Sequence, residues 1–195
     1  MRVAIAGFGL EGRVNYRYWN TTDNQVVIVD ESERLDDIPE GAVTILGEGA
    51  FDKLSDFDLV VRTASLSPLR IATSGKVWSG TNEFFARCPA KIIGVTGTKG
   101  KGTTSSLIAS VFEAAGRRVH LLGNIGRPAL EILPRISADD IVVFEMSSFQ
   151  LWDIEYSPQI AVVLGIEPDH LNVHDDFQDY IAAKERIARY QSEAD

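Results

Sequence analysis

Two glycine-rich segments of this chain have the residue types and spacing to cradle phosphate. The second is the stronger: Gly97-Thr98-Lys99-Gly100-Lys101-Gly102-Thr103-Thr104 lies between an apolar run, Lys91 to Thr96, and a stretch that reads as helix to about Ala115. Glycine-permitted backbone geometry lets successive N–H groups converge on phosphate oxygens, Lys101 can reach terminal phosphates, and a following hydroxyl can ligate Mg²⁺. The spacing departs from the common Walker pattern, since Val95 stands where that pattern has its first glycine. Gly102 follows the lysine directly, which leaves Thr103 or Thr104 to supply the hydroxyl. The reading is a nucleoside triphosphate loop; its plain alternative is a glycine-rich surface turn with two solvated lysines.

The first segment, Gly7-x-Gly9-x-x-Gly12, joins the apolar run Arg2–Ala6 to a helical stretch ending near Trp19, and Asp30 closes the next run, Val26–Val29. In that strand–turn–helix–strand context the glycines permit close approach of a diphosphate to a helix N-terminus, and the acid can accept from a ribose hydroxyl. The motif does not say which nucleotide. A structural turn whose phosphate site has decayed has the same pattern.

Three further positions carry chemistry. Glu145 ends the run Ile141–Phe144, on the edge of a parallel sheet that lines the ligand crevice, where it can complete a magnesium site or serve a helix N-terminus. His170 and His174 lie among acids in the segment 165–175, a pattern that suits a metal or phosphate site as well as a structural role. Lys184 shares a helical face with Ile181 and Ala188, so the spacing turns it inward. Burial there favours the neutral, nucleophilic amine; snorkelling along the core edge is the alternative.

The elements that must position these groups are strands and helices in alternation. The reading is α/β: a Rossmann-like N-terminal domain over residues 1–90, with Cys88-Pro89 at its end, then the first part of a P-loop-type parallel α/β domain over residues 91–195. Residues 69–90 show no clear period. The 195 residues are 45% hydrophobic and 24% charged, enough apolar material for a packed core and too much for disorder. The net charge of −9 is spread over both halves, which argues against nucleic-acid binding through phosphate neutralisation. No apolar run reaches the ~20 residues that cross a bilayer. A single cysteine, Cys88, excludes an internal disulfide framework and a thiolate zinc cluster. The expected compartment is cytoplasmic, with no membrane partner.

Four segments in order resemble the Mur ligase family of ATP-dependent amide ligases in peptidoglycan precursor synthesis. They are Gly97-Thr98-Lys99-Gly100-Lys101, Gly123-Asn124-Ile125-Gly126, Glu145-Met146-Ser147-Ser148-Phe149-Gln150-Leu151, and Asp169-His170-Leu171 followed by Lys184. The Ser-Ser-Phe-Gln-Leu run resembles the D-glutamate-adding branch. The resemblance implies ATP and two Mg²⁺ ions as cofactors, and UDP-N-acetylmuramoyl-L-alanine and D-glutamate as substrates. It implies that Thr98 to Thr104 form the ATP loop and that Thr103 and Glu145 hold the first Mg²⁺. His170 and a carbamylated Lys184 would hold the second. Asn124 would contact the muramoyl substrate, while Gly9, Leu10, Glu11 and Asp30 would hold UDP. Lys101, His170 and Lys184 would be the catalytic set.

There are departures. Gly102 resembles folylpolyglutamate synthase, a relative that starts much closer to its phosphate loop. Asn172 stands where the family commonly has Asp, and Ser65-Leu66-Ser67-Pro68 matches the family's uridine loop only in part. The family has three domains and much longer chains, so the resemblance implies a fragment without ligase turnover of its own. A nicotinamide-dependent oxidoreductase fits Gly7 to Asp30 but leaves the second loop and Glu145 unexplained. A non-catalytic UDP-sugar-binding module is the third reading.

Overall fold

The computed structural model describes residues 1–193. Two units divide between Gly80 and Thr81, and each is built around its own parallel sheet.

In the first unit β1 (Arg2–Ala6), α1 (Leu10–Trp19), β2 (Gln25–Asp30), β3 (Val43–Leu46), β4 (Leu59–Arg62) and β5 (Lys76–Ser79) follow in chain order. The sheet order is β3-β2-β1-β4-β5, all parallel. This is a doubly wound arrangement whose chain direction reverses beside β1, so the loops after β1, β2 and β4 open onto one crevice. Val3, Ala4, Ile5 and Ala6 are fully buried, as the unbroken apolar run requires of a central strand covered on both faces. Phe51, Leu54, Phe57, Val60 and Leu66 pack on one face of that sheet.

The second unit takes in α2 (Gly80–Arg87) from Thr81 onward, then β6 (Lys91–Thr96), α3 (Lys101–Ala114), β7 (Val119–Gly123), α4 (Ala129–Ile132), β8 (Ile141–Glu145), α5 (Ser148–Leu151), β9 (Ile160–Val163) and α6 (Phe177–Arg189). Its sheet order is β7-β8-β6-β9, again all parallel. β6 sits at the switch between β8 and β9, so the loop after it faces the ends of both neighbours. Ile93, Val95, Ile141 and Val143 form the core beneath Ala109 of α3.

Two sequence expectations need correction. The boundary falls at 80/81 rather than 90, because α2 packs with the second unit. Phe84 and Phe85 lie 5.4 and 5.3 Å from the Phe144 ring, and the Asn82 side chain donates to Asp153 O and accepts from Glu155 N. The inward face of α6 consists of Tyr180, Ala183, Lys184 and Ile187, so Lys184 is inward as expected, whereas Ala188 is exposed.

Candidate functional sites in the two units

In the first unit the glycine turn runs from β1 into α1, and its three glycines do different work. A Cβ on Gly12 would lie 2.0 Å from Gly7 O, so only glycine lets the helix close on the strand's exit. A Cβ on Gly9, the N-cap of α1, would meet nothing within 4 Å. Gly9 therefore leaves open space in front of the helix N-terminus, where unpaired N–H groups favour an anion.

The acids assigned to substrate are already engaged. Asp30 accepts from Phe8 N at 2.8 Å and from Ser32 N at 2.9 Å, and Glu11 accepts from Ala64 N at 2.8 Å. Asp30 thus ties the glycine turn to the loop after β2, and Glu11 ties α1 to the loop after β4. Leu10 is exposed. These loops enclose a cleft of about 410 Å³ whose lining includes Gly7, Asp30, Glu31, Thr63, Ser65 and Arg70.

Sequence reasoning missed two arginines around this cleft. Arg62 is fully buried and donates to the carbonyls of Thr63, Ala64 and Leu66, which shapes the loop after β4. Arg70 makes a two-pronged pair with Glu31, at 2.7 and 2.8 Å, between the loops after β4 and β2. Nothing local joins residue 31 to residue 70, so no spacing pointed to this pair. Ser67 caps the short 3-10 turn Pro68–Arg70.

In the second unit the loop Gly97–Gly100 leaves β6 and enters α3. Gly97 has φ +146, and a Cβ there would lie 2.7 Å from Leu164 Cβ, so the loop passes close over the end of β9. Thr98 fastens it further. Its N–H donates to Gly165 O, its hydroxyl donates to Glu167 O and accepts from Glu167 N, and Tyr180 Oη lies 3.1 Å from the same oxygen. Lys99 points outward, 3.5 Å from exposed Glu167.

Two ammonium groups converge on this loop. Lys101 Nζ donates to Thr98 O at 3.0 Å, and Lys184 Nζ donates to Gly97 O at 2.9 Å. Lys184 is 1% exposed and lies over the Tyr180 ring at 4.5 Å. Burial first, then the neighbouring charge of Lys101, pushes its pKa down to about 8, against a weaker upward pull from Asp169. Lys184 Nζ also lies 3.5 Å from Thr96 Oγ1, and two neighbouring cations bonded to neutral oxygens are a setting that favours an anion.

Glu145 is buried at the end of β8, and its Oε1 accepts from Asn124 Nδ2 at 3.1 Å. Its Oε2 is turned to the start of α3, 3.2 Å from where a Cβ on Gly102 would lie. Asn124 therefore orients the carboxylate. Thr103 is exposed in the first turn of α3, and Thr104 donates its N–H to Gly100 O. His170, on the loop after β9, has φ +54 and an exposed side chain beside Phe149, with ring centroids 5.0 Å apart. Among the described residues no three His, Cys, Asp or Glu side chains gather as a metal cage. A carboxylate oxygen and threonine hydroxyls at the head of the phosphate loop nonetheless fit Mg²⁺, which takes one or two protein oxygens and fills the rest with phosphate and water.

His174 entered the sequence reading only as one of two histidines among acids. It is buried and bonded at both nitrogens, to Asp179 and to Ser148. No local spacing pointed to Ser148 as its partner.

The comparisons bear on both units. The Mur ligase middle domain family model matches residues 95–195. The UDP-N-acetylmuramoylalanine--D-glutamate ligase of Clostridium kluyveri is 41% identical over 157 residues, 77% of this chain and 34% of the relative. The protein of the same name from Clostridium botulinum is 34% identical over 206 aligned positions, covering 98% of this chain and 44% of the relative. The chain thus spans less than half the length of the curated relatives it matches. The crystal structure of UDP-N-acetylmuramate:L-alanyl-gamma-D-glutamyl-meso-diaminopimelate ligase from Neisseria meningitides aligns with TM-score 0.56 at 19% identity. That alignment covers 98% of this chain and 69% of that one, and it supports the fold alone.

Proposed function

The chain belongs to the Mur ligase family, and on that premise we propose that it carries the UDP-substrate and ATP-phosphate sites of a D-glutamate-adding ligase. The observation that carries this is the pair of ammonium groups, Lys101 and Lys184, held over the carbonyls of one glycine loop. The names of the Clostridium relatives supply the substrates, UDP-N-acetylmuramoyl-L-alanine and D-glutamate.

In this reading the loop N–H groups from Thr98 to Thr104 bind the ATP phosphates, and Lys101 swings from Thr98 O to the terminal phosphate. Thr103 and Glu145 would hold one Mg²⁺, and His170 with Lys184 a second; the ions would supply charge neutralisation on the phosphates. The substrate carboxylate oxygen attacks the γ-phosphorus and ADP leaves. The amine of D-glutamate then attacks the acyl carbon, forming the C–N bond and expelling phosphate. The protein's part is alignment and charge stabilisation. Lys184, with its pKa lowered to about 8, gives up its proton more readily than an exposed lysine; its neutral form would add CO₂ and release a proton, giving a carbamate oxygen ligand for the second ion. Asn124 keeps Glu145 in register as well as facing substrate. In the first unit, the open space before Gly9 takes the UDP diphosphate, and the cleft bounded by Asp30 and Ser65 takes the nucleoside. The nucleotide substrates go with a cytoplasmic location, and no helix among the described residues is long and apolar enough to cross a membrane.

Calorimetric titration with UDP-N-acetylmuramoyl-L-alanine, NADH and Mg²⁺–ATP tests the assignment. Saturable binding of the first and third, with none of NADH, is expected. NADH binding, or no binding of ATP above a Lys101→Ala control, would overturn it.

A further inference from the structure

The loop that carries His170 is held at two ends. At the near end Thr98 binds Gly165 and Glu167. At the far end the holder is His174. Its ring Nδ1 is 2.6 Å from Asp179 Oδ2 on α6, and its Nε2 is 3.0 Å from Ser148 Oγ at the first turn of α5. Because a carboxylate only accepts, Nδ1 carries the proton and Nε2 is left to the serine hydroxyl. The ring is walled in by Phe149, stacked at 10° with centroids 5.6 Å apart, by Trp152 at 4.5 Å, and by Tyr180, edge-on at 5.2 Å.

This fixed ring is coupled to His170 through the backbone. The carbonyl of His170 accepts from both Val173 N and His174 N, each at 3.0 Å, which closes a single turn around 170–174. His170 occupies the left-handed region, φ +54, which a residue with a side chain adopts only where its surroundings hold it there. Phe149 touches both rings, so the same wall that fixes His174 limits where His170 points.

We infer that His174 is a positioning residue: the Ser148–His174–Asp179 chain pins α5 to α6 and so sets the height and direction of His170 as a cation ligand. The inference rests on the reading of His170 as a cation ligand beside the glycine loop. Ser148, Asp179 and His174 are not among the residues that reading assigns to nucleotide or cation. Their effect passes through the turn at 170–174.

The test is Mn²⁺ binding to the 195-residue chain, read by electron paramagnetic resonance in saturating ADP, beside metal-free ADP affinity read by calorimetry. His174→Phe keeps the ring and its stacking but removes both hydrogen bonds. It should weaken Mn²⁺ about tenfold, the usual cost of losing a residue that orients a ligand, while ADP affinity without metal stays within about twofold. His174→Gln, which restores a polar end, should recover part of the loss. In a His170→Ala background His174→Phe should add nothing, since the two act as one unit.

A folded His174→Phe that binds Mn²⁺ like wild type overturns the inference. So does an equal further loss in the His170→Ala background, or a parallel fall in metal-free ADP affinity. Should His174→Phe fail to fold, Asp179→Asn takes its place; Asp179 is one-third exposed, and a weaker loss confined to Mn²⁺ is expected, with no loss overturning the proposal. If wild type binds ADP but no Mn²⁺, the cation reading and this inference fall together. Normal wild-type binding with an indifferent His174→Phe removes this inference alone.

Discussion

Each unit has a glycine turn between its first parallel strand and a helix, yet the charged side chains bonded to backbone at the two turns are opposite in sign. The first is framed by carboxylates: Asp30 and Glu11 accept backbone N–H groups from Phe8, Ser32 and Ala64 and lock three loops together. The second is framed by amines, Lys101 and Lys184, resting on the carbonyls of Thr98 and Gly97. The first turn is stiffened by bonds that need no ligand, and in front of it lie helix N–H groups and open space. The second holds two cations whose present partners are neutral, so an anion improves its electrostatics directly. On the proposed function, a diphosphate flanked by sugars would go to the first and the more highly charged end of a triphosphate to the second.

The contrast is broken most severely by Gly12→Val. With Gly7 O 2.0 Å from the new Cβ, the first unit should lose about 3 kcal/mol or fail to fold, seen as an early transition in urea while the second unit still binds ATP. Gly9→Val, with open space around it, should leave that transition unmoved and abolish UDP-ligand binding. If both variants unfold alike, the turn is purely structural.

Lys101→Ala should weaken ATP by about 2 kcal/mol, roughly 30-fold, through loss of a charge-assisted contact. UDP-ligand affinity should be unchanged, since the two sites lie on separate units. A joint loss with the fold intact would mean one shared site.

Asp30→Asn sharpens the acid side of the comparison. The amide keeps one acceptor where the carboxylate has two, so about 1.5 kcal/mol of stability should go. Normal stability with lost ligand binding would instead make Asp30 a direct substrate contact.

Lys184 gives a smaller effect, with a sign fixed by linkage. Its folded pKa of about 8 lies below the unfolded 10.5. Below pH 8 both states hold the proton, and burying that charge costs stability in full. Between about 8 and 10.5 the unfolded chain keeps a proton the folded one has lost, so unfolding free energy rises with pH. Lys184→Met should therefore be the more stable protein at pH 7, by on the order of 1 kcal/mol, and the gap should close toward pH 10.5. A pH-independent gap, measured by denaturation without metal or nucleotide, would show that Lys184 is not desolvated.

Sequence alone determined the features whose causes are local. Apolar runs of strand length, followed by glycine and then helical spacing, marked both sheets, both glycine turns and the inward face of Lys184, because strand, turn and helix preferences act over a few residues. Even there the segment 69–90 stayed unread: β5 and α2 have no clean period, and Phe84 shows its purpose only against Phe144. Tertiary structure alone decided which polar groups are free. Asp30 and Glu11 looked available for substrate until the fold brought Phe8, Ser32 and Ala64 to them. Arg70 acquired Glu31, and His174 acquired Ser148, across gaps of 39 and 26 residues. A hydrogen bond depends on angstrom-scale approach between segments with no spacing in common, so only the packed chain assigns it.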